Sequence, residues 1–266
     1  MHVDEFFQHL WDDYTRIAPA AKVLHDKVTE RGETVVNDHV AFRTYDIAPI
    51  NLAALEKHVL SVGYKRYEPY EFKEKKLRAY GYIHPEGKPR IFLSELETGH
   101  FSPELQETVR GLCAQVDPKR VEQIDVMWAG RLWDPIPYEA YQRLLEESEY
   151  AAWVAAIGIR ANHFTISVNH LKTLPTMEDL LHFVESVGYK LNTSGGRVKG
   201  SPQVLLEQGS TMADRVEMEF AGGEKHVIPT CYYEFARRYP GPDGKLYEGF
   251  VAASADKIFE STNVKS

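Results

Sequence analysis

Ser61-Val62-Gly63-Tyr64-Lys65 recurs letter for letter as Ser186-Val187-Gly188-Tyr189-Lys190, 125 positions on (61 to 186). A histidine stands ahead of each copy: His39 in Asp38-His39-Val40-Ala41-Phe42 and His163 in Asn162-His163-Phe164-Thr165-Ile166, 124 positions apart (39 to 163). Between histidine and pentapeptide the apolar positions also match. Leu52, Leu55, Val59 and Val62 answer Met177, Leu180, Val184 and Val187, each set stepping by 3, 4 and 3 residues along one helical face. The chain therefore reads as two copies of a strand–helix–strand unit, each opening on a histidine in its first strand. Matched histidines in two halves are a natural way to build one metal site between them.

In the first copy residues 38–45 alternate, with Val40, Phe42 and Thr44 on one face and His39, Ala41, Arg43 and Tyr45 on the other. Pro49 is expected to open the helix that Gly63 ends. Strand-like runs at 64–72, 77–84 and 90–96 complete a β-α-β-β-β unit over 35–100. The second copy spans 160–240. Its helix follows Pro175 with a capping box from Thr176 and Asp179, and strands are expected at 203–207, 215–220, 225–228 and 231–235. Residues 1–34 read as a cap of two amphipathic helices, 101–159 as a helical connector broken near 133–137, and 241–266 as a closing segment. The expected fold is α+β, a single domain over 1–266 in which two βαβββ modules form a curled mixed sheet around a shared site.

A chain of 266 residues with 43% hydrophobic and 26% charged residues has the composition of a soluble globular protein. With 39 acidic against 31 basic residues the formal charge is −8, and no basic run offsets it, so a nucleic-acid partner is not expected. A small anionic substrate stays open, because one buried arginine sets the local potential. Two cysteines, Cys113 and Cys231, make no disulfide framework and read as reduced thiols. Asp4, Glu5, Asp12 and Asp13 leave the first 30 residues without a signal-peptide pattern, and no stretch reaches the ~20 apolar residues of a membrane span. The expectation is a cytoplasmic protein with no membrane contact.

His39 and His163, with one carboxylate, would give the two-histidine, one-carboxylate arrangement of non-haem Fe(II) oxygenases, which leaves positions open for substrate and oxygen. Glu234, in Cys231-Tyr232-Tyr233-Glu234-Phe235, is the first candidate acid: among large aromatics an ionised carboxylate is costly without a metal or an arginine beside it. Glu95 stands in the corresponding stretch of the first unit and is a possible fourth ligand. Pattern alone does not settle the third ligand, and a lone strand histidine is more often structural; the other nine histidines stay in that class. Arg43, four residues after His39, points to the same face about 13 Å along the strand. It is suited to capturing a carboxylate bidentately, or equally to pairing with a structural acid. Thr165 and Ser167 are expected to line the pocket on the second strand.

The segments Asn37–Arg43, Ala161 to Thr165 and Ser210 to Val216, with Tyr233-Glu234-Phe235 followed by Arg237 and Arg238, resemble the 2-oxoadipate dioxygenase/decarboxylase family, also called hydroxyglutarate synthase, of the vicinal oxygen chelate superfamily. The similarity covers most of 35–240. It implies a fold of paired βαβββ modules, Fe(II) held by His39, His163 and Glu234, and substrate held by Arg43. It also implies conversion of a 2-oxo dicarboxylic acid, 2-oxoadipate, with dioxygen to 2-hydroxyglutarate and carbon dioxide. Two other readings stand beside it: a glyoxalase-type lyase or isomerase, which would need Glu95 as a fourth ligand, and a non-enzymatic cup for a small ligand.

Overall fold

Each copy of the repeated pentapeptide stops a helix and turns the chain. In this computed structural model, which describes residues 1–262, α1 (Val3–Ile17) and α2 (Pro19–Glu30) lead into β1 (Asn37–Tyr45) and α3 (Leu52–Ser61). Gly63 follows α3 at φ +97°, and Gly188 follows the matching helix at φ +96°. Ser61 Oγ donates to the carbonyl of His58 at 2.8 Å, and Ser186 Oγ to that of Phe183 at 2.7 Å, so the two C-termini close alike. The last four residues of the expected closing segment lie outside the described residues.

After α3 come β2 (Lys65–Phe72), β3 (Leu77–Ile83) and β4 (Arg90–Leu96). The connector holds α4 (Pro103–Cys113), the single turn α5 (Pro118–Val121), α6 (Tyr138–Glu147) and α7 (Glu149–Ile157). The second module runs β5 (Ala161–Ser167), α8 (Met177–Ser186), β6 (Lys199–Ser201), β7 (Leu206–Ser210), β8 (Arg215–Glu219), β9 (Lys225–Pro229) and β10 (Tyr232–Arg238), followed by α9 (Ala252–Ile258). Eight strands form one mixed sheet in the order β2-β3-β4-β1-β5-β10-β7-β6. The order is symmetric about its centre: β1 matches β5, β4 matches β10, β3 matches β7 and β2 matches β6. The architecture is α+β with two paired modules, as the internal repeat implies.

Two local expectations are corrected. Pro49 lies in the turn before α3 and does not open it; Asn51 caps that helix, its side chain accepting from Ala54 N at 3.1 Å. Residues 215–220 and 225–228 are strands paired as a hairpin around Ala221-Gly222-Gly223, as their pattern suggests, but among the described residues this hairpin stands apart from the main sheet. The main-sheet strand of the module is β7, shifted toward Ser210 from the expected 203–207, where Pro202–Val204 instead makes a 3-10 turn. The capping box of Thr176 and Asp179 is present as expected.

The sheet is packed on both faces. Trp11 and Tyr14 of α1 set their rings 5.1 Å from Phe164, covering the face opposite to the histidines. Leu55 and Val59 of α3 and Leu180 and Val184 of α8 are wholly buried, which accounts for the matched apolar spacing. On the other face, α7 covers the end of β1, where the Tyr45 hydroxyl donates to the Ala151 carbonyl at 2.6 Å, and α9 covers the middle. Among the described residues no helix is long and apolar enough to cross a membrane.

The paired glycines give a direct check. A Cβ at Gly188 would meet nothing within 4 Å, whereas one at Gly63 would lie 2.6 Å from His84 Nε2. Gly188→Ala should cost about 1–2 kcal/mol for the positive φ alone. Gly63→Ala should cost more, by whatever displacing His84 adds. Urea unfolding midpoints of the two variants test this ordering.

Candidate metal centre

β1 and β5 run antiparallel at the middle of the sheet, with His39 opposite Thr165 and Ala41 opposite His163. The two imidazoles therefore project side by side on one face, ring centres 5.5 Å apart and planes at 84°. β10 joins β5 in parallel with Glu234 opposite Thr165, which carries the carboxylate between them. Glu234 Oε2 lies 3.0 Å from His163 Nε2, and Oε1 lies 3.5 Å from His39 Nε2. One ligand atom from each of the three residues lies within 4.8 Å of the others, and all three side chains are buried.

Both histidines present the same nitrogen. His39 Nδ1 donates to Asp38 Oδ1 at 2.7 Å, and His163 Nδ1 to Asn162 Oδ1 at 3.0 Å. With the proton on Nδ1, each Nε2 lone pair faces Glu234, the state a metal ligand requires. Burial lowers the His163 pKa against the opposing pull of Glu234, which favours the neutral ring. Burial alone would raise the Glu234 pKa, but in a metal-free site any proton taken up by the rings of His39 and His163, together with the hydrogen bond from Gln208, outweighs it, and its pKa falls. Gln208 Nε2 donates to Glu234 Oε1 at 2.7 Å. Tyr232 stacks on His163 at 4.6 Å, and the Phe250 ring meets His39 edge-on at 4.9 Å.

The acceptors behind the two rings are features that pattern reading missed. Asp38 and Asn162 are each the extra residue at a β-bulge: the pairing slips between Asn37 and His39 on one strand and between Ala161 and His163 on the other. A bulge lets neighbouring side chains approach where regular alternation would send them to opposite faces. The visible signal is a short polar residue directly ahead of each histidine. Asp38 is tied in turn to Arg238 through two bonds, Nε at 2.8 Å and Nη2 at 2.9 Å.

Glu95 is not beside the triad. Its carboxylate accepts from Leu52 N at 2.7 Å and from Arg78 Nε, on the face where α3 packs. Phe92, three residues earlier, points into the cavity. In the pairing of β1 with β4, Phe92 stands opposite Ala41, two residues past His39, as Glu234 stands two past His163. The first-module counterpart of Glu234 is therefore Phe92. Thr165 Oγ1 sits 3.1 Å from His39 Nε2, directly beside the triad, whereas Ser167 Oγ is engaged by His170 Nδ1 at 2.9 Å.

The cavity over the triad, with free space of only about 20 Å³, is walled by His39, Ala41, Phe92, His163, Gln208 and Glu234, with Phe250, Ala255, Ile258 and Phe259 covering it from α9 and its flanks. Arg43 is buried beyond Phe259, whose ring lies 5.5 Å from its Cζ, and it pairs with Glu149 at 3.0 Å. A larger open cleft between α3 and the connector, lined by Pro49, Lys57, His58 and Ile124, lies apart from these residues.

Paired modules with a buried His-His-Glu group facing a small cavity define a protein of vicinal oxygen chelate type, with a site able to hold a metal. A sequence model described as 2-oxoadipate dioxygenase/decarboxylase matches residues 6–245, and the chain belongs to that family. An Arabidopsis thaliana chloroplastic 2-oxoadipate dioxygenase/decarboxylase is 36% identical over 250 residues, covering 85% of this chain and 67% of that protein. The crystal structure of an Oryza sativa hydroxyglutarate synthase in complex with 2-oxoadipate is 33% identical, covers 98% of this chain and 92% of that one, and superposes with a TM-score of 0.93. A Shewanella frigidimarina crystal structure, provisionally described as a hydrolase, is 48% identical over 94% of this chain and 98% of that one, with a TM-score of 0.89.

The Asp38–Arg238 pair supports the site from behind, and its loss has a predictable sign. Asp38→Ala leaves a buried guanidinium without its carboxylate and should cost about 3–5 kcal/mol. Burial acts to raise the Asp38 pKa, but Arg238 and the bonds from His39 and Arg238 hold it far below the usual carboxylate range. A depressed native pKa means that this stabilisation is present at neutral pH and drains away below about pH 4. Denaturation curves should therefore show a constant gap between wild type and variant from pH 7 to about pH 4, narrowing below that by no more than about 1.4 kcal/mol per pH unit.

Proposed function

We propose that the chain is an Fe(II)-dependent dioxygenase/decarboxylase acting on a 2-oxo dicarboxylic acid, most directly 2-oxoadipate with dioxygen to 2-hydroxyglutarate and carbon dioxide. The observation that carries this reading is the triad itself: His39, His163 and Glu234 present two imidazole Nε2 atoms and a carboxylate to one point, buried, with hydrogen-bonded support behind each. That donor set suits Fe(II) with positions left open on one side. Family membership and the 2-oxoadipate bound in the rice relative support the substrate class.

Bound there, Fe(II) would supply the one-electron chemistry through which dioxygen oxidises the 2-oxo acid. The protein's part is to position and to exclude. Gln208 fixes Glu234 Oε1 and leaves Oε2 directed at the His163 side. Phe92, Phe250, Ile258 and Phe259 keep water from the reacting centre. Arg43 receives the distal carboxylate and so selects which carbon faces the oxidant; such positioning is worth several kcal/mol of barrier. A four-ligand glyoxalase-type site is disfavoured by Glu95, whose carboxylate lies on the opposite face bonded to Leu52 and Arg78.

After anaerobic loading with Fe(II), wild type should bind one iron and take up oxygen fastest with 2-oxo dicarboxylates. His163→Ala and Glu234→Ala should lose both iron and oxygen uptake. Arg43→Ala should keep its iron yet lose about two orders of magnitude in kcat/KM for the dicarboxylate. Iron-loaded wild type that consumes no oxygen with any 2-oxo acid in a panel would overturn the reading.

A further inference from the structure

The three guanidinium nitrogens of Arg43, a residue 1% exposed, have three different fates. Nη1 donates to Glu149 Oε1 at 3.0 Å, Nη2 donates to Thr262 Oγ1 at 3.1 Å, and Nε has no partner among the described residues. Nε and Nη2 form one edge of the planar guanidinium, the edge that grips both oxygens of a carboxylate side-on. Here that edge is half empty and half filled by a neutral hydroxyl. A buried donor without an acceptor is costly, so the edge is short of one ligand oxygen.

Thr262 belongs to the turn Phe259–Thr262 that follows α9, and the stretch 250–262 also closes the cavity through Phe250, Ala255, Ile258 and Phe259. Phe259 faces the cavity while standing 5.5 Å from Arg43 Cζ, between the triad and the guanidinium. A ligand that reaches from the triad to Arg43 must displace this turn. On its other side the segment is tied down independently, Asn192 Nδ2 donating to the Lys257 carbonyl at 2.8 Å and contacting Ser261 Oγ at 2.9 Å.

We propose that Thr262 is a latch. Its hydroxyl holds the 250–262 segment over the cavity by occupying the place on Arg43 that a substrate's distal carboxylate takes. The inference rests on the function proposed above, since it assumes that the 2-oxo group binds at the triad end. A carboxylate accepts two bonds on the Nε and Nη2 edge and brings a counter-charge, where the threonine hydroxyl accepts one bond and brings none, so a dicarboxylate repays the opening. A 2-oxo monocarboxylate must open the same latch and gains nothing at Arg43. Selectivity is then set partly by what the closed form already holds.

The test uses Thr262→Val, with Thr262→Ser as the conservative control, on the full chain. Without ligand or metal, hydrogen exchange across 252–262 should be at least about threefold faster in Thr262→Val than in wild type and unchanged in Thr262→Ser. By calorimetry on Mn(II)-loaded protein without oxygen, Thr262→Val should bind 2-oxoadipate about threefold to tenfold more tightly than wild type. That gain should vanish in an Arg43→Met background, where no latch exists to remove. A purely structural threonine would weaken binding when truncated, not strengthen it. Unchanged exchange together with unchanged or weaker affinity in Thr262→Val overturns the latch. Absence of oxygen turnover alongside the affinity gain contradicts only the proposed reaction, and turnover without the gain contradicts only the latch.

Discussion

The antiparallel pairing of β1 with β5 is the contact on which the rest depends. Each module contributes four strands of the main sheet, and within that sheet the two join along this seam in its middle. Its register puts Ala41 opposite His163 and His39 opposite Thr165, which sets the imidazoles side by side. A slip of one residue would send one histidine to the face that α1 covers, because strand side chains alternate. Register is held by the apolar face: Val40, Phe164 and Ile166 are wholly buried, as is Phe235 of β10. The hydrophobic packing of one face thus fixes the polar geometry of the other.

That polar geometry stands in a setting that opposes it. Glu234 is 1% exposed and lies between two imidazoles that are bonded at Nδ1 to Asp38 and Asn162 and turn Nε2 toward it. Burying a carboxylate without a full counter-charge is expensive, and Gln208 provides one hydrogen bond only. A divalent ion at the point the three ligands share would supply the missing charge, which ties occupancy of the site to stability of the sheet around it. The Asp38–Arg238 pair, by contrast, is already charge-balanced: Arg238 also donates to the carbonyls of Tyr247 and Gly249, anchoring the chain that leads to α9. The support behind His39 and the segment closing the cavity are therefore parts of one network.

Much of this was legible from residues. The repeat carried the two-module fold, because a pentapeptide that stops a helix needs a glycine at positive φ in both copies, and Gly63 and Gly188 supply it. The matched apolar spacing located α3 and α8, since both helices bury the same face. What sequence could not give was which sheet a strand joins. Residues 215–229 alternate as a half-buried strand pair does, and a free-standing hairpin satisfies that alternation as well as a sheet would. Glu95 drew attention by its position, yet side-chain period two decides its face. Phe92 takes the place facing Ala41, while Glu95 caps the start of α3. The acceptors Asp38 and Asn162 stayed hidden because bulges break the alternation on which strand reading relies. Of the two descriptions of Arg43, the structure shows the pairing with an acid, Glu149, and the turn bearing Phe259 and Thr262 stands beside its guanidinium.

Diffraction from crystals loaded with Mn(II) or Fe(II) without oxygen, collected near the metal's absorption edge, addresses the central claim most directly. One anomalous peak per chain is expected, about 2.0–2.3 Å from Nε2 of His39, Nε2 of His163 and a carboxylate oxygen of Glu234. A peak bound elsewhere with those three side chains unligated, or full loading with no peak among them, would contradict it.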